Sequence, residues 1–345
     1  MKKLLIDLNK EELEALVIKA NEKRFRADQL FHWTRLGARF EEMTNLPKSF
    51  VSFLMDGYFD IAASIKEHYK SEDGTIKFLL ELTDGSLIES VLMSYSYGYT
   101  LCVSSQVGCR MGCKFCASGL DGLSRNLSAG EMLSEVIAAN RFIKENLSSE
   151  GKVGNVVIMG SGEPLDNYDN VVKFIKMLSS ELLIGQRSVS LSTCGLCDKI
   201  KMLPDSGISA TLCISLHSPF DEIRKTIMPV ANAYAVESIM EAAKCYFTKT
   251  GRRIIIEYAM MKGVNTSKKD VERLKELTKG FACHINLIPL NDTGASLKGV
   301  NKKEAYSFLN LVKQAGLSAT VRRSLGQDIA GACGQLKRRY NDENK

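Results

Sequence analysis

From residue 101 onward, short apolar runs alternate with longer stretches in which apolar residues recur every three or four positions. The runs at 101–105, 153–159, 188–192, 211–216, 253–259, 284–288 and 318–322 are short and bounded by polar or turn residues, which predicts strands. Amphipathic helices are predicted between them, at 129–145, 168–180, 199–203, 236–247, 268–279 and 302–315. Repeated strand–helix units give a parallel sheet through right-handed crossovers. Six units and one further strand are too few for an eight-fold barrel, so the expected α/β fold is a partial (β/α)6 barrel. In such folds the chemistry sits at the C-terminal ends of the strands.

The chain before residue 101 follows another pattern. Its first 60 or so residues read as short helices. Asn9 and Glu12 have the spacing of a capping box ahead of Leu13, Leu16 and Val17. A second helix is predicted over 26–36, and Leu46-Pro47 opens a third. Runs at 75–82 and 86–93, joined at Asp84-Gly85, predict a β-hairpin connection. The expected division is a small N-terminal helical accessory unit over 1–85, which includes the start of this β extension, and a barrel over 86–345. There is no low-complexity segment or long linker.

Composition narrows the class. With 45% hydrophobic residues in 345, the chain can bury a substantial core. Only three apolar residues separate Lys3 from Asp7, whereas a secretory signal needs about seven. No uncharged run is predominantly apolar over the roughly 18 residues of a membrane span. A soluble, cytoplasmic protein with no membrane partner is expected. The net charge of +6 is unevenly placed. Residues 301–345 hold nine Lys/Arg against four Asp/Glu, and residues 19–39 hold six against two, interleaved with Phe25, Phe31, His32 and Trp33. Basic residues among aromatics suit a nucleic-acid surface, and they equally suit a solvated helix whose aromatics face a core.

Ten cysteines are many for a reducing compartment, where they serve as thiols, metal ligands or catalytic groups. Four of them, Cys102, Cys109, Cys113 and Cys116, fall within 15 residues. Cys109-Arg110-Met111-Gly112-Cys113-Lys114-Phe115-Cys116 has gaps of three and two residues and follows a predicted strand. Three thiolates can hold three irons of a cubane cluster and leave the fourth iron open. Structural zinc, the alternative, prefers four closed ligands, commonly in two separated Cys-x2-Cys pairs. Cys102 is available as a fourth ligand, but the spacing is unusual for zinc.

Together with Phe115 before the last cysteine, this spacing resembles the radical S-adenosylmethionine superfamily. The other motifs of that superfamily fall at predicted strand ends: Gly160-Ser161-Gly162-Glu163-Pro164, Ser192, Ser215-Leu216-His217 and Asn291. Further segments narrow the likeness. Cys102-Val103-Ser104-Ser105-Gln106-Val107-Gly108-Cys109, Ile88-Glu89-Ser90-Val91 and Gly331-Ala332-Cys333-Gly334-Gln335-Leu336 resemble the RlmN family of dual-specificity RNA methyltransferases. The likeness runs from Phe25-Arg26 and Met43-Thr44-Asn45-Leu46-Pro47 to Gln335-Leu336, nearly the whole chain. The sister Cfr enzymes share the skeleton, but the Val-Ser-Ser-Gln-Val-Gly-Cys wording and Arg322-Arg323 favour RlmN. Ser161 stands where the family usually has Met, and Gly331 where Ala is common.

The resemblance implies that Cys109, Cys113 and Cys116 hold one [4Fe–4S] cluster. It makes Gly162, Glu163, Ser192, Ser215, Leu216, His217 and Asn291 the S-adenosylmethionine contacts. It also makes Cys333 the methyl carrier, Cys102 its resolving partner and Glu89 the proton acceptor. The implied substrates are adenosine 2503 of 23S rRNA and adenosine 37 of tRNAs, methylated at C2 through an S-methylcysteine intermediate. An electron donor of flavodoxin or ferredoxin type, a monomer and a helical RNA-binding unit complete the expectation. The chemistry gives a reason for the extra cysteines. The carbon between N1 and N3 of adenine is electrophilic, so a sulfonium methyl cannot reach it by simple displacement, whereas a carbon radical can add there. Cys102 then attacks the Cys333 sulfur, releasing the methylated base and leaving a disulfide for a reductant. The Cfr-like rival is C8-methylation of the same rRNA adenosine. A rival from another class is a zinc-stabilised RNA-binding protein without catalysis. Taken without the family, Cys333 reads equally as a buried apolar thiol. Cys194-Gly195-Leu196-Cys197 carries a thioredoxin-like spacing, but Cys197 has no counterpart in the family pattern. Cys213, Cys245 and Cys283 read as core.

Overall fold

The computed structural model describes residues 2–290, 297–323, 325, 326, 328 and 329. Asn291 and Cys333, singled out above, lie outside them. The N-terminal unit contains a short strand β1 (Lys3–Leu4) and the helices α1 (Lys10–Lys19), α2 (Arg26–Leu36) and α3 (Lys48–Gly57). The Asn9 side chain accepts from Glu12 N–H and the Glu12 carboxylate accepts from Asn9 N–H, both at 2.8 Å, so the capping box forms. Leu13, Leu16 and Val17 face Leu30, Phe50 and Leu54 in a small separate core. Strand β2 (Tyr58–Phe59) returns beside β1 in parallel.

Ten strands form the main sheet. In chain order they are β3 (Ala63–Lys70), β4 (Ile76–Leu82), β5 (Leu87–Tyr95) and β6 (Gly98–Val103), followed, after a separate short ribbon, by six more. That ribbon pairs β7 (Gln106–Gly108) with β8 (Leu123–Asn126), antiparallel. The six are β9 (Val153–Ile158), β10 (Val189–Thr193), β11 (Thr211–Ser215), β12 (Ile254–Met260), β13 (Cys283–Pro289) and β14 (Ala319–Val321). β6 and β9 through β14 pair in parallel and in chain order, the seven strands and six units expected of a partial (β/α)6 barrel. Helices α4 (Ala129–Asn146), α5 (Tyr168–Glu181), α6 (Cys197–Met202), α7 (Asp221–Ile227), α8 (Val236–Thr250), α9 (Lys268–Leu277) and α10 (Lys302–Gln314) fill the crossovers.

Strand alternation decides what faces the reaction space. One face carries Phe78, Leu92, Leu101, Val156, Leu191 and Ile214, all buried in the core formed with the helices. Each such side chain contributes about 2 kcal/mol when withdrawn from water. The register brings the intervening residues together on the other face: Lys77 opposite Val91, Val91 opposite Cys102, Ser192 opposite Cys213, and Ser215 opposite Glu257. The inner face is therefore polar.

Four features depart from the sequence reading. The hairpin at Asp84-Gly85 is not a mere connection, because β5 pairs with β6 and joins β3 and β4 to the barrel sheet. β3 escaped notice because it is an edge strand, largely exposed, with only weak alternation. Helix α7 was missed because seven residues are too few to establish a period. The basic stretch over 19–39 is also less free than its composition suggested. Arg24, Arg26, Arg35 and Arg39, four of its six cations, lie within 4.0 Å of Glu14, Glu22, Glu181 and Asp60, and Phe31 packs against the helical core.

Candidate active site

The three clustered cysteines do not follow β6 directly, as the sequence suggested. The ribbon of β7 and β8 intervenes and clasps the base of their loop. Cys109 N–H donates to Gly122 O at 2.9 Å. Gly108, at φ 78°, is required there, since a Cβ would lie 2.0 Å from the Gly122 carbonyl oxygen. Arg110 on the loop pairs with Asp166, whose other oxygen accepts from Gln106 Nε2 at 3.0 Å. Lys114 N–H donates to Ile227 O at 3.0 Å, anchoring the far side of the loop to the end of α7.

Burial, with the neighbouring cysteine sulfurs adding to it, pushes the Cys109 thiol up to about 11 and the Cys113 thiol up to about 12. The three thiols therefore share one poorly solvated space that disfavours thiolates without a compensating cation. Among the described residues, no three His, Cys, Asp or Glu side chains converge to hold a single metal ion. A zinc site needs such convergence. A cubane does not, because each cysteine binds a different iron.

The Gly160–Pro164 turn locks onto the segment that follows β6. Gly160 N–H donates to Val103 O at 2.9 Å, Ser161 N–H to Ser104 Oγ at 2.9 Å, and Ser161 O accepts from Ser105 N–H at 2.8 Å and Gln106 N–H at 3.1 Å. Ser161 is thus accommodated as an ordinary turn residue. Gly162, at φ 110°, has no room for a Cβ, which would meet Gln106 Cβ and Ser105 Oγ at 2.7 Å. Glu163 is buried. Its Oε2 accepts from Cys194 N–H at 2.8 Å and its Oε1 from Leu165 N–H at 3.0 Å. Burial raises its pKa while these donors oppose the shift. The carboxylate fixes the turn against the end of β10.

The neighbouring strand ends supply the remaining groups. Ser192 Oγ and Ser215 Oγ are 3.1 Å apart on β10 and β11. Leu216 is fully buried, and His217 follows it at φ 57°. His217 Nδ1 accepts from Ala259 N–H at 3.0 Å. Burial, aided by the Arg224 charge, pushes its pKa down to about 3. The ring is therefore neutral, with its proton on Nε2. Its edge meets Phe115 of the cysteine loop with ring centroids 4.8 Å apart. Cys109, Cys113, Phe115, Glu163, Cys194 and His217 thus meet at one mouth.

Glu89 and Cys102 lie on the sheet's inner face, on neighbouring strands β5 and β6. Both are buried. Glu89 Oε1 is 3.5 Å from Lys77 Nζ, which is fully buried. Sequence reasoning missed Lys77, although a lysine at an inward position of an apolar strand was the available signal. It also missed Arg224, which is buried on α7 and for which the sequence offers no signal. Arg224 Nε donates to Leu216 O at 3.2 Å and Nη2 to Cys194 O at 2.5 Å. Nη1 finds no acceptor among the described residues. An orphaned buried guanidinium nitrogen, on the helix that anchors the cysteine loop, suits a site that receives an anionic group.

The Radical SAM superfamily model matches residues 103–278, and a model described as the ribosomal RNA large subunit methyltransferase N-terminal domain matches residues 4–56. The "Probable dual-specificity RNA methyltransferase RlmN" of Clostridium perfringens (strain 13 / Type A) is 48% identical over 98% of this chain and 97% of its own length. The protein of the same description from Clostridium novyi (strain NT) is 46% identical over 99% and 100%. A solved radical SAM methyltransferase from Sphaerobacter thermophilus superposes with a TM-score of 0.91 at 38% identity, covering 96% of this chain and 98% of that one. A barrel with three thiols at its mouth, joined to the matching N-terminal unit and related to these proteins end to end, leaves one assignment: the chain belongs to the RlmN family of dual-specificity RNA methyltransferases, radical S-adenosylmethionine enzymes that carry a [4Fe–4S] cluster.

Proposed function

We propose that this enzyme methylates C2 of adenosine, at position 2503 of 23S rRNA and position 37 of tRNAs. The observation that carries the reading is the pairing, in one barrel, of a three-thiol loop with a second buried thiol, Cys102, beside a buried carboxylate, Glu89. A displacement methyltransferase needs neither the loop nor the extra thiol.

The cluster and S-adenosylmethionine, when bound, would supply the electron and the 5′-deoxyadenosyl radical needed to take one hydrogen from the S-methyl of Cys333, so that a carbon radical can add to the electrophilic ring carbon. Cys109, Cys113 and Cys116 hold the cluster. Gly162, Glu163, Ser192, Ser215, Leu216 and His217 line the S-adenosylmethionine side, and Asn291 belongs with them by the family pattern. Cys333 carries the methyl group as a thioether and joins it to the ring. Glu89 removes the ring proton as general base, a role that requires hydrogen-bond reach of the base. Lys77 balances the Glu89 charge inside the sheet. The Cys102 thiolate attacks the Cys333 sulfur, frees the methylated RNA and leaves a disulfide. A flavodoxin- or ferredoxin-type donor serves the cluster, and the enzyme works as a cytoplasmic monomer. No helix among the described residues is long and apolar enough to cross a membrane. The helical unit over residues 4–56, whose core is separate from that of the barrel, contributes to RNA binding, and the barrel extends from β3.

The test is to incubate the reconstituted enzyme with reductant, S-adenosylmethionine and each RNA, digest the RNA and identify nucleosides by mass spectrometry. 2-Methyladenosine is the expected product. 8-Methyladenosine, or no methylated nucleoside, would overturn the reading.

A further inference from the structure

Arg224 is the one fully buried arginine of the described chain, and it stands outside every role assigned above. It lies on the inner side of α7, and two of its three nitrogens are committed. Nε and Nη2 reach Leu216 O, Cys194 O and, at 3.4 Å, Ser215 O, which are the carbonyls closing β10 and β11. These contacts hold the guanidinium plane at the barrel mouth. Nη1 is buried and without an acceptor among the described residues. Leaving a charged donor buried and unsatisfied is unfavourable, so a partner is expected from the site's contents.

Position limits what that partner is. One turn further along α7, Ile227 packs with Cys113 and Phe115, and Ile227 O accepts from Lys114 N–H at 3.0 Å. Cys194, whose carbonyl accepts from Arg224 Nη2, belongs to the same packed cluster as Ile227, Cys113 and Phe115. Carbonyl oxygens of the strand ends hold Nε and Nη2, and the cysteine loop is anchored to the C-terminal end of the same helix. A cubane on three thiolates is anionic and exposes sulfur acceptors, and hydrogen bonds to those sulfurs tune its potential.

We propose that Arg224 is a positioning and tuning residue for the cluster: its free Nη1–H donates to the cluster's Cys113 corner, holding the cluster there and easing its reduction. The inference rests on Cys109, Cys113 and Cys116 being the ligands. The neutral Arg224→Gln keeps donors for the carbonyls but loses the charge. In anaerobic, S-adenosylmethionine-free holoenzyme it should disfavour reduction about tenfold, a potential about 59 mV more negative for one electron. Arg224→Lys, which keeps the charge without the fork, should fall between Gln and wild type. A Gln variant with full iron and the wild-type potential would overturn the proposal.

A measurement that does not depend on the Gln variant's folding uses holoenzyme labelled with ¹⁵N-arginine. Pulsed electron paramagnetic resonance of the reduced cluster should show a ¹⁵N coupling that Arg224→Lys abolishes. No coupling, a coupling kept in Arg224→Lys, or one that appears only after S-adenosylmethionine is added, each contradicts the assignment. Failure of the ligand reading looks different: Cys113→Ala would then retain full iron.

Discussion

The wall that carries the cysteine loop and the wall that carries Glu89 and Cys102 are built by different means. The loop wall consists of turns. Gly108, Gly162 and the buried Gln106, Glu163 and Arg224 tie backbone to backbone across three strand ends. The wall with Glu89 and Cys102 instead carries its reactive groups on strands. Lys77, Glu89 and Cys102 are brought to one face by the antiparallel register of β4, β5 and β6. A turn-built wall can shape itself around a bulky inorganic group, whereas a sheet-built wall fixes side chains at set spacings for proton and thiol chemistry. Damage to the first should therefore cost the cluster, and damage to the second should leave the cluster in place and stop the reaction later.

The largest expected effect falls on the loop wall. Cys109→Ala, Cys113→Ala or Cys116→Ala should each lose iron and all methylation while circular dichroism shows a folded protein, because most of the core lies elsewhere. An Ala variant with full iron and activity would remove that cysteine from the ligand set. Next comes Glu89→Gln on the sheet wall, expected to slow turnover by about 10² to 10⁴ with iron content unchanged. Equal loss of iron would erase the distinction between the walls. Asp166→Ala removes a partner from both Arg110 and Gln106. Iron release to a chelator should quicken by about tenfold, as for other groups supporting metal ligands.

A pH measurement examines His217, which joins the loop to β11. Its pKa is about 3 in the folded protein and about 6.5 unfolded, so below pH 6.5 the unfolded chain binds the extra proton. The stability it supports is full above about pH 6.5 and is lost as pH falls toward 3, on the order of several kcal/mol. His217→Gln should flatten this part of the denaturation profile, and an unchanged slope would contradict a buried neutral ring. The smallest effect belongs to the helical unit. Asn9→Ala removes the capping box and should cost about 1 kcal/mol without altering iron content.

How far the sequence revealed this molecule differs between the same two walls. The loop wall was legible because its residues are contiguous or sit at strand ends: Cys109 to Cys116, Gly160 to Pro164, Ser192 and Ser215 to His217. The seven parallel strands were legible because each is a compact apolar run between amphipathic helices. β3 was not, because an exposed edge strand needs no apolar alternation. Lys77 and Arg224 were also hidden. Their meaning comes from register and from the orientation of a seven-residue helix, and neither is written in local spacing.

The central claim is that the two special thiols divide the work, Cys333 carrying the methyl group and Cys102 releasing it. Cys102→Ala tests it most directly. The variant retains every group needed to reach the crosslinked stage but lacks the thiolate that cleaves the carbon–sulfur bond. After incubation with reductant, S-adenosylmethionine and RNA, protein should accumulate covalently joined to RNA, as a nuclease-sensitive band of higher mass. Peptide mass spectrometry should then locate the join at Cys333, and the Cys333→Ala protein should form none. Normal turnover by Cys102→Ala, or an adduct in Cys333→Ala, would contradict the assignment.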